Sequence, residues 1–149
     1  MKTSIKIISI IVFIIILFLA WYLVSPLFIN RTVNENIPLN NGYAETYQGS
    51  FTGADSFHKV EGTAKILSTD DKVYLSLENF KSTNGPDLKV YLSEDKSAIS
   101  YINLGELKGN IGNQNYEIPE GTDLSKYKYA LIWCEQFSVL FGSAELDML

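Results

Sequence analysis

Two side chains of this sequence have reactive chemistry, the thiol of Cys134 and the imidazole of His58, and each is the only one of its type in the 149 residues. A single cysteine cannot form a disulfide within the chain, so its thiol is free, pairs with another molecule, or binds a ligand. A thiol beside an imidazole can act as a redox group or a nucleophile. The alternative is that Cys134 packs in a core as a small apolar side chain and that His58 has no role.

The number of available ligands excludes the most familiar metal and haem sites. A blue-copper site uses two histidines and one cysteine, and a c-type haem needs a Cys-x-x-Cys-His motif, so this sequence can form neither. The acidic turns at Asp70, Asp71 and Asp87 do not form an EF-hand loop for calcium. Haem b held by His58 alone is left open. We therefore predict no metal site, and the cofactor stays unknown.

Motifs of stand-alone enzymes are missing from the sequence as well. It has no Gly-x-Ser-x-Gly elbow, no His-Glu-x-x-His motif and no glycine-rich phosphate loop. Cys134 and His58 are formally a nucleophile and a base, but no protease signature surrounds either residue. From these motifs alone we expect no enzyme with its own complete active site.

A turn around Pro86 supplies a third candidate residue, Asp87. In Asn84-Gly85-Pro86-Asp87 the proline presets φ for a turn, the glycine supplies a positive φ, and the aspartate caps the turn through its side chain. Asp87 is also a candidate binding residue at the edge of a pocket.

An N-terminal apolar run is predicted to hold these residues at a membrane. Residues 7–29 are almost uniformly apolar and uncharged, and one helical crossing requires about 20 such residues. A cleaved signal peptide has a shorter apolar region that ends in small residues, so we predict an uncleaved signal anchor. Lys2 and Lys6 precede the run, which predicts a cytoplasmic tail at residues 1–6 and an extracytoplasmic remainder in a single-pass membrane protein.

The rest of the chain is predicted to consist of a polar linker, residues 30–43, and one domain, residues 44–149. The chain has a formal net charge of −5, and because two lysines precede the apolar run, the outer part is more acidic still. Phosphate polymers and anionic lipids repel an acidic surface. Nucleic acid is therefore not an expected partner, and contact with the membrane is expected through residues 7–29.

Short alternating segments predict an all-β domain. In residues 72–80, Val73, Leu75 and Leu77 fall on one face, and this period of two is typical of a half-buried strand. Seven or eight such strands, separated by turn signals, predict an antiparallel β-sandwich or jelly roll. The predicted strands are residues 57–67, 72–80, 87–92, 99–107, 115–118, 127–134 and 137–146.

Bulky aromatic side chains on these strands are predicted to pack between the sheets. Cys134 ends one strand, so it is buried if it faces the core and open to a ligand if it lies at the strand edge before Glu135. The predicted core aromatics are Phe80, Tyr91, Tyr116, Trp133, Phe137 and Phe141.

Several motifs, in their order along the chain, resemble the DM-thirteen domain, a small extracellular module found beside DOMON domains and in Skeletor-like proteins. The most specific are Asn84-Gly85-Pro86-Asp87-Leu88 and the run Trp-Cys-x-x-Phe-x-Val-x-Phe-Gly that begins at Trp133. The resemblance covers roughly residues 47–146 and also includes the segments 58–64, 77–80, 104–110 and 112–116.

The resemblance implies a β-sandwich and a redox or electron-transfer role centred on the family's cysteine, here Cys134. The family's histidine corresponds to His58 and its turn aspartate to Asp87. Family members often carry neighbouring redox domains, and since none is found in this sequence, we expect a redox or envelope protein partner in trans. The rival hypothesis is a non-catalytic cell-envelope module that binds a protein or ligand, with Cys134 as core packing.

Overall fold

A computed structural model describes residues 2–25, 28–36 and 42–149 of the chain. Residues 26–27 of the predicted anchor and residues 37–41 of the predicted linker lie outside the described residues.

The helix α1 spans Lys2–Val24. Its segment Ile5–Tyr22 has a mean hydropathy of 2.7 and is not buried against the rest of the described chain. At about 1.5 Å per residue the helix is about 35 Å long, enough for a hydrocarbon core of about 30 Å. The chain therefore begins with an apolar helix that is long enough to cross a membrane, and a signal sequence meets the same criteria.

Ten strands follow in the described chain, and they form two antiparallel sheets of five strands each. The strands are β1 Ala44–Ser50, β2 Thr52–Gly53, β3 Val60–Ser68, β4 Val73–Ser82, β5 Leu88–Ser93, β6 Tyr101–Glu106, β7 Ile111–Ile118, β8 Tyr129–Cys134, β9 Val139–Glu145 and β10 Asp147–Met148. The first sheet has the order β10-β1-β3-β4-β7, and the second has the order β2-β9-β8-β5-β6. The predicted all-β sandwich behind one apolar helix is confirmed.

The hydrophobic core lies between the two sheets. Alternation along β4 turns Leu75 and Leu77 inward, and both are fully buried. Val90 of β5 and Ile132 of β8 are fully buried in the same core on the second sheet. Each such side chain contributes roughly 1.5–3 kcal/mol relative to leaving it in water. Three of the predicted core aromatics join this cluster: Phe80, Tyr116 and Phe141.

Tyr91 is buried as predicted, but its ring packs on the outer face of the second sheet. Its neighbours along β5, Val90 and Leu92, face the core, so alternation turns Tyr91 the other way. There its ring stacks on Tyr101 with 4.2 Å between centroids, and the ring of Trp133 lies 6.4 Å away.

Some strand limits differ from the prediction, because hydrogen bonding to a neighbour can make a strand without an apolar pattern. The short strands β1, β2 and β10 lie outside the predicted segments, and the sequence of β1 is mostly polar. Strand β7 begins at Ile111, four residues before the predicted strand start at residue 115. Opposite it the register of β4 shifts between Leu77 and Phe80, where Asn79 has a φ of 49°.

Residues 31–35, here called the edge segment, cover the outer edge of β7. The N–H groups of Val33 and Glu35 donate to carbonyl oxygens of β7 at 2.9 and 2.8 Å. The carboxylate of Glu35 accepts a hydrogen bond from Lys108 Nζ at 2.7 Å. Burial alone would raise the pKa of Glu35, but the bonds it accepts lower that pKa overall. The chain that follows the helix is thus attached to the first sheet before it reaches β1.

Candidate functional site

Three motif segments meet at one end of the sandwich. They are the loop before β3, the turn between β4 and β5, and the hairpin formed by β8 and β9. Between them lies a cavity of about 370 Å³, here called the aromatic cavity. Its lining residues are Phe57, His58, Thr83, Asn84, Gly85, Pro86, Phe137, Val139 and Phe141.

Asp55 holds the imidazole of His58 on one wall of the aromatic cavity. The Asp55 carboxylate accepts hydrogen bonds from the N–H groups of Phe57 and His58, both at 2.7 Å, and its Oδ2 lies 2.7 Å from His58 Nδ1. The imidazole bond, followed by the two backbone bonds, lowers the pKa of Asp55 to about 2. The ring centroid of His58 lies 4.4 Å from that of Phe141. The imidazole is therefore held by its hydrogen bond to Asp55 and by its contact with Phe141.

The other ring nitrogen of His58, Nε2, is the atom left for a ligand. An ionised carboxylate only accepts hydrogen bonds, so Nδ1 must carry a proton. In the neutral ring Nε2 is then an acceptor, and in the protonated ring it is a donor. Nε2 makes no hydrogen bond to a residue in the ranges that the structure describes, and the side chain is 29% exposed.

Two exposed phenylalanines form the rim of the aromatic cavity. Phe57 is 82% exposed and Phe137 is 63% exposed, whereas Phe141 is buried below them. The prediction that Phe137 lies in a core strand is therefore wrong. Strand β8 ends at Cys134 and the chain turns before β9, so Phe137 falls in the turn and escapes the alternation of the strands.

Gly85 leaves room for the aromatic wall. It does not have the positive φ predicted for it. A Cβ atom there would instead lie 2.8 Å from atoms of the Leu88 and Phe141 side chains, closer than packed atoms allow. The same loop is attached to the His58 loop, because the N–H of Thr83 donates to the carbonyl oxygen of Lys59 at 2.9 Å.

Cys134 lies behind one wall of the aromatic cavity and does not line it. It is the last residue of β8, its exposed fraction is 0%, and it belongs to the apolar core cluster. Across the sheet it pairs with Leu88 on one side and with Val139 on the other. Val139 itself lines the cavity, so the thiol and His58 lie near the same end of the sandwich.

Asp87 follows Pro86 but does not line the aromatic cavity, and its carboxylate forms an ion pair with Lys89. Its Oδ1 is 2.9 Å from Lys89 Nζ, which also lies 3.3 Å from Glu106 and 3.7 Å from Glu135. The hydrogen bond that Lys89 donates to Asp87 raises the pKa of Lys89. Asp87 lines a neighbouring cavity of about 380 Å³, which also includes Arg31.

The ligating groups of the described residues are few. Among them no group of three or more His, Cys, Asp or Glu side chains is placed to hold a metal ion. In the aromatic cavity the single titratable side chain is His58. The site therefore offers aromatic faces, the imidazole of His58 and the uncharged polar side chains of Thr83 and Asn84, a combination that suits a planar, uncharged molecule.

Asp55, Phe57 and Val139 belong to this site although they are not among the predicted site residues. For Asp55 a local signal existed: an aspartate three residues before the histidine can accept the N–H groups of the following turn. For Val139 the signal was weaker, since only the pairing of β8 with β9 places it opposite the thiol.

These features define the class of protein: a small all-β sandwich that follows an apolar helix. An aromatic cavity that contains a histidine lies at one end of the sandwich. The family model described as Electron transfer DM13 matches residues 50–146, well over half of the chain. The chain therefore belongs to this electron-transfer family, and the resemblance drawn from its motifs is confirmed. Neither the curated proteins nor the solved structures gave a match.

Proposed function

We propose that this protein is a membrane-anchored, extracytoplasmic electron-transfer accessory whose redox group is the thiol of Cys134. Membership of the DM13 family supports electron transfer in general. The apolar helix supports anchoring, and Lys2 and Lys6 before its apolar core support a cytoplasmic N-terminus. The partner is a redox protein of the envelope that meets the domain in trans.

The observation that carries this proposal is the position of Cys134 in the β8–β9 hairpin. Its pair with Val139 is the last one before the turn, and the turn residues on the other side of it are exposed. In the closed state the core protects the thiol from the oxidants of an extracytoplasmic compartment. Opening of this one pair, which is far less costly than global unfolding, exposes the sulfur next to the aromatic cavity.

The redox step is a thiol–disulfide exchange with a disulfide of the partner. The sulfur of Cys134 loses its proton and attacks one sulfur of that disulfide. A new S–S bond forms, and the second partner sulfur leaves as a thiolate with the electron pair of the broken bond. We assign to His58 the role of accepting the thiol proton, as the one imidazole at this end of the sandwich.

Native-state thiol exchange of the full-length protein in detergent micelles tests this proposal. A chromogenic disulfide is added at increasing urea concentrations below the unfolding transition, and the released thiolate is followed by absorbance. All release must come from Cys134, because the chain has no other cysteine. We expect exchange with a weak urea dependence, since a local opening exposes little surface.

The opposite result would be exchange whose urea dependence equals that of global unfolding, and it would reject Cys134 as an accessible redox group. His58→Gln is expected to slow the exchange near neutral pH without changing its urea dependence. Cys134→Ser is the blank.

The complete burial of Cys134 favours a second candidate function, a non-catalytic envelope module that binds a protein or ligand. In that case the thiol serves only as core packing beside Leu88 and Val139. The exchange experiment separates the two, because packing alone predicts reaction only through global unfolding. A stable Cys134→Ala variant that keeps the protein's function in cells would support the packing role of Cys134.

A further inference from the structure

The size of the aromatic cavity indicates a ligand of one or two rings. A cavity of about 150 Å³ suffices for benzene, and ligand sites begin near 300 Å³. The aromatic cavity measures about 370 Å³. The exposed rings of Phe57 and Phe137 stand at its rim, where a planar ligand would cover apolar surface that now faces water.

The polar groups of the cavity select a carbonyl or hydroxyl oxygen. With Nδ1 bonded to Asp55, the imidazole of His58 presents only Nε2, and its rotation is restricted by Asp55 and Phe141. Nε2 accepts from a hydroxyl group when the ring is neutral and donates to a carbonyl group when it is protonated. No lysine or arginine lines the cavity, so a phosphate or carboxylate would find no permanent counter-charge there.

The position of the cavity indicates access from the lipid phase. The loop residues Asn84, Gly85 and Pro86 line the aromatic cavity on one side and the neighbouring cavity on the other. That neighbouring cavity is also lined by Ser25 and Ile29, which directly follow the apolar helix. In a protein anchored by α1, the aromatic cavity thus lies at the end of the domain nearest the bilayer.

We propose that the aromatic cavity binds the ring of a quinone or hydroquinone. This class combines the required properties: a planar uncharged ring, an oxygen on its edge, solubility in the lipid phase and the capacity to carry electrons. The inference rests on the proposed function, because it names the electron carrier that such a domain would meet. His58 Nε2 forms the hydrogen bond to the ring oxygen, and Phe57 and Phe137 contact the ring.

Binding of tetramethyl-1,4-benzoquinone to the full-length protein in micelles tests the proposal. Every ring carbon of this probe that could add a thiol carries a methyl group, so it does not alkylate Cys134. Tetramethylbenzene is the matched probe without oxygens. Amide chemical shifts report both the affinity and the place of binding. Partition into micelles is common to all variants, so affinities are compared between variants.

The expected shifts are confined to residues around Pro86, His58 and Val139. Phe57→Ala should weaken both probes by about tenfold, whereas Ile99→Ala, which removes an 84% exposed apolar side chain elsewhere, should weaken neither. At a pH low enough to protonate the ring of His58, so that Nε2 donates to the quinone carbonyl, His58→Phe should weaken the quinone several-fold and leave the hydrocarbon unchanged. His58→Gln, which restores a hydrogen-bonding group, should recover part of the loss.

Three results would overturn the quinone site: shifts centred elsewhere, equal affinity of the two probes in every variant, or equal effects of Phe57→Ala and Ile99→Ala. The test is independent of the thiol, because Cys134→Ser should bind the quinone like the native chain. Thiol exchange without quinone binding would therefore reject the quinone site and support the redox role of Cys134. Quinone binding without native thiol exchange would support the quinone site and reject the redox role of Cys134.

Discussion

Asp55 and His58 set the polar chemistry of the aromatic cavity from within four consecutive residues. The carboxylate of Asp55 receives three hydrogen bonds, two of them from its own turn and one from the imidazole. Each bond favours the ionised carboxylate, because a protonated acid would lose an acceptor. The turn therefore fixes which nitrogen of His58 is free for a ligand or a proton.

The pH dependence of stability should carry the signature of Asp55. Its pKa falls from an ordinary 3.8 to about 2 in the folded protein. The carboxylate thus stabilises the fold above pH 4, and this contribution is lost as the pH falls from about 4 towards 2. Urea unfolding of the native protein and Asp55→Asn across that range should show a steeper loss in the native protein.

A carbon-detected NMR titration of the Asp55 carboxyl group gives the direct control. A midpoint near 3.8 would contradict the hydrogen-bonding pattern of the turn.

At the residue scale the sequence predicted the candidate side chains better than their surroundings. Cys134 and His58 stood out because each is the only residue of its type, and both lie at the same end of the sandwich. Burial of Cys134 could not be predicted from the sequence. The strand that ends there has apolar residues on both faces, so its sequence pattern does not show which face is turned towards the core. Asp87 was identified, but its ion pair with Lys89 depends on neighbouring strands.

The hairpin of β8 and β9 is the element whose local opening would expose the thiol in the proposed redox step. Its turn contains Ser138 with a φ of 53°, a left-handed conformation that costs a residue with a side chain about 1–2 kcal/mol relative to glycine. The strain lies four residues from Cys134, so the turn is a weak point beside the proposed opening.

Ser138→Gly should stabilise the folded protein by about 0.5–1 kcal/mol, since glycine removes the strain, and the greater entropy of its unfolded chain offsets only part of that gain. It should also slow the native thiol exchange of Cys134, because the turn opens less often. Ala98→Gly is the matched control: Ala98 also has a φ of 53°, but it lies between β5 and β6.

The control variant should gain similar stability without slowing exchange at low urea. Equal slowing by both substitutions would indicate that Cys134 reacts through global unfolding.

At the scale of the elements, alternation predicted the strands with two distinct faces and failed for the others. Residues 72–80 alternate, and they form most of β4. Strand β10 forms one edge of the first sheet and β1 lies next to it, and both depend on partners elsewhere in the chain, so no local pattern indicates them. Phe137 looked like part of a strand, because an aromatic in a tight turn has the same local sequence context as one in a strand.

Within the predicted linker, the edge segment, residues 31–35, attaches the chain that follows the helix to the first sheet. Hydrogen bonds from Val33 and Glu35 to β7, together with the ion pair between Glu35 and Lys108, continue the first sheet by a short stretch of chain. They cover an edge that would otherwise present unpaired backbone groups.

Truncation should separate the contribution of the apolar helix from that of the edge segment. A chain without residues 1–29 keeps the edge segment, whereas a chain without residues 1–41 loses it. We expect the shorter chain to be less stable by about 2 kcal/mol, because net contributions of about 1 kcal/mol per hydrogen bond are lost. Urea unfolding of the two chains measures the difference.

Glu35→Gln in the longer chain is the control and should cost less than the whole segment. Equal stability of the two truncated chains would mean that the edge segment adds nothing to the fold.

The edge segment also limits the length of the connection between the helix and the β-sandwich domain. The N–H of Arg31 donates to Asn110 Oδ1 at 2.7 Å, so the domain begins there, while α1 ends at Val24. Even fully extended at about 3.5 Å per residue, the chain between them reaches only about 25 Å. If α1 anchors the protein, the domain therefore stays in a thin layer above the bilayer, where its effective concentration towards neighbours in the same membrane is raised.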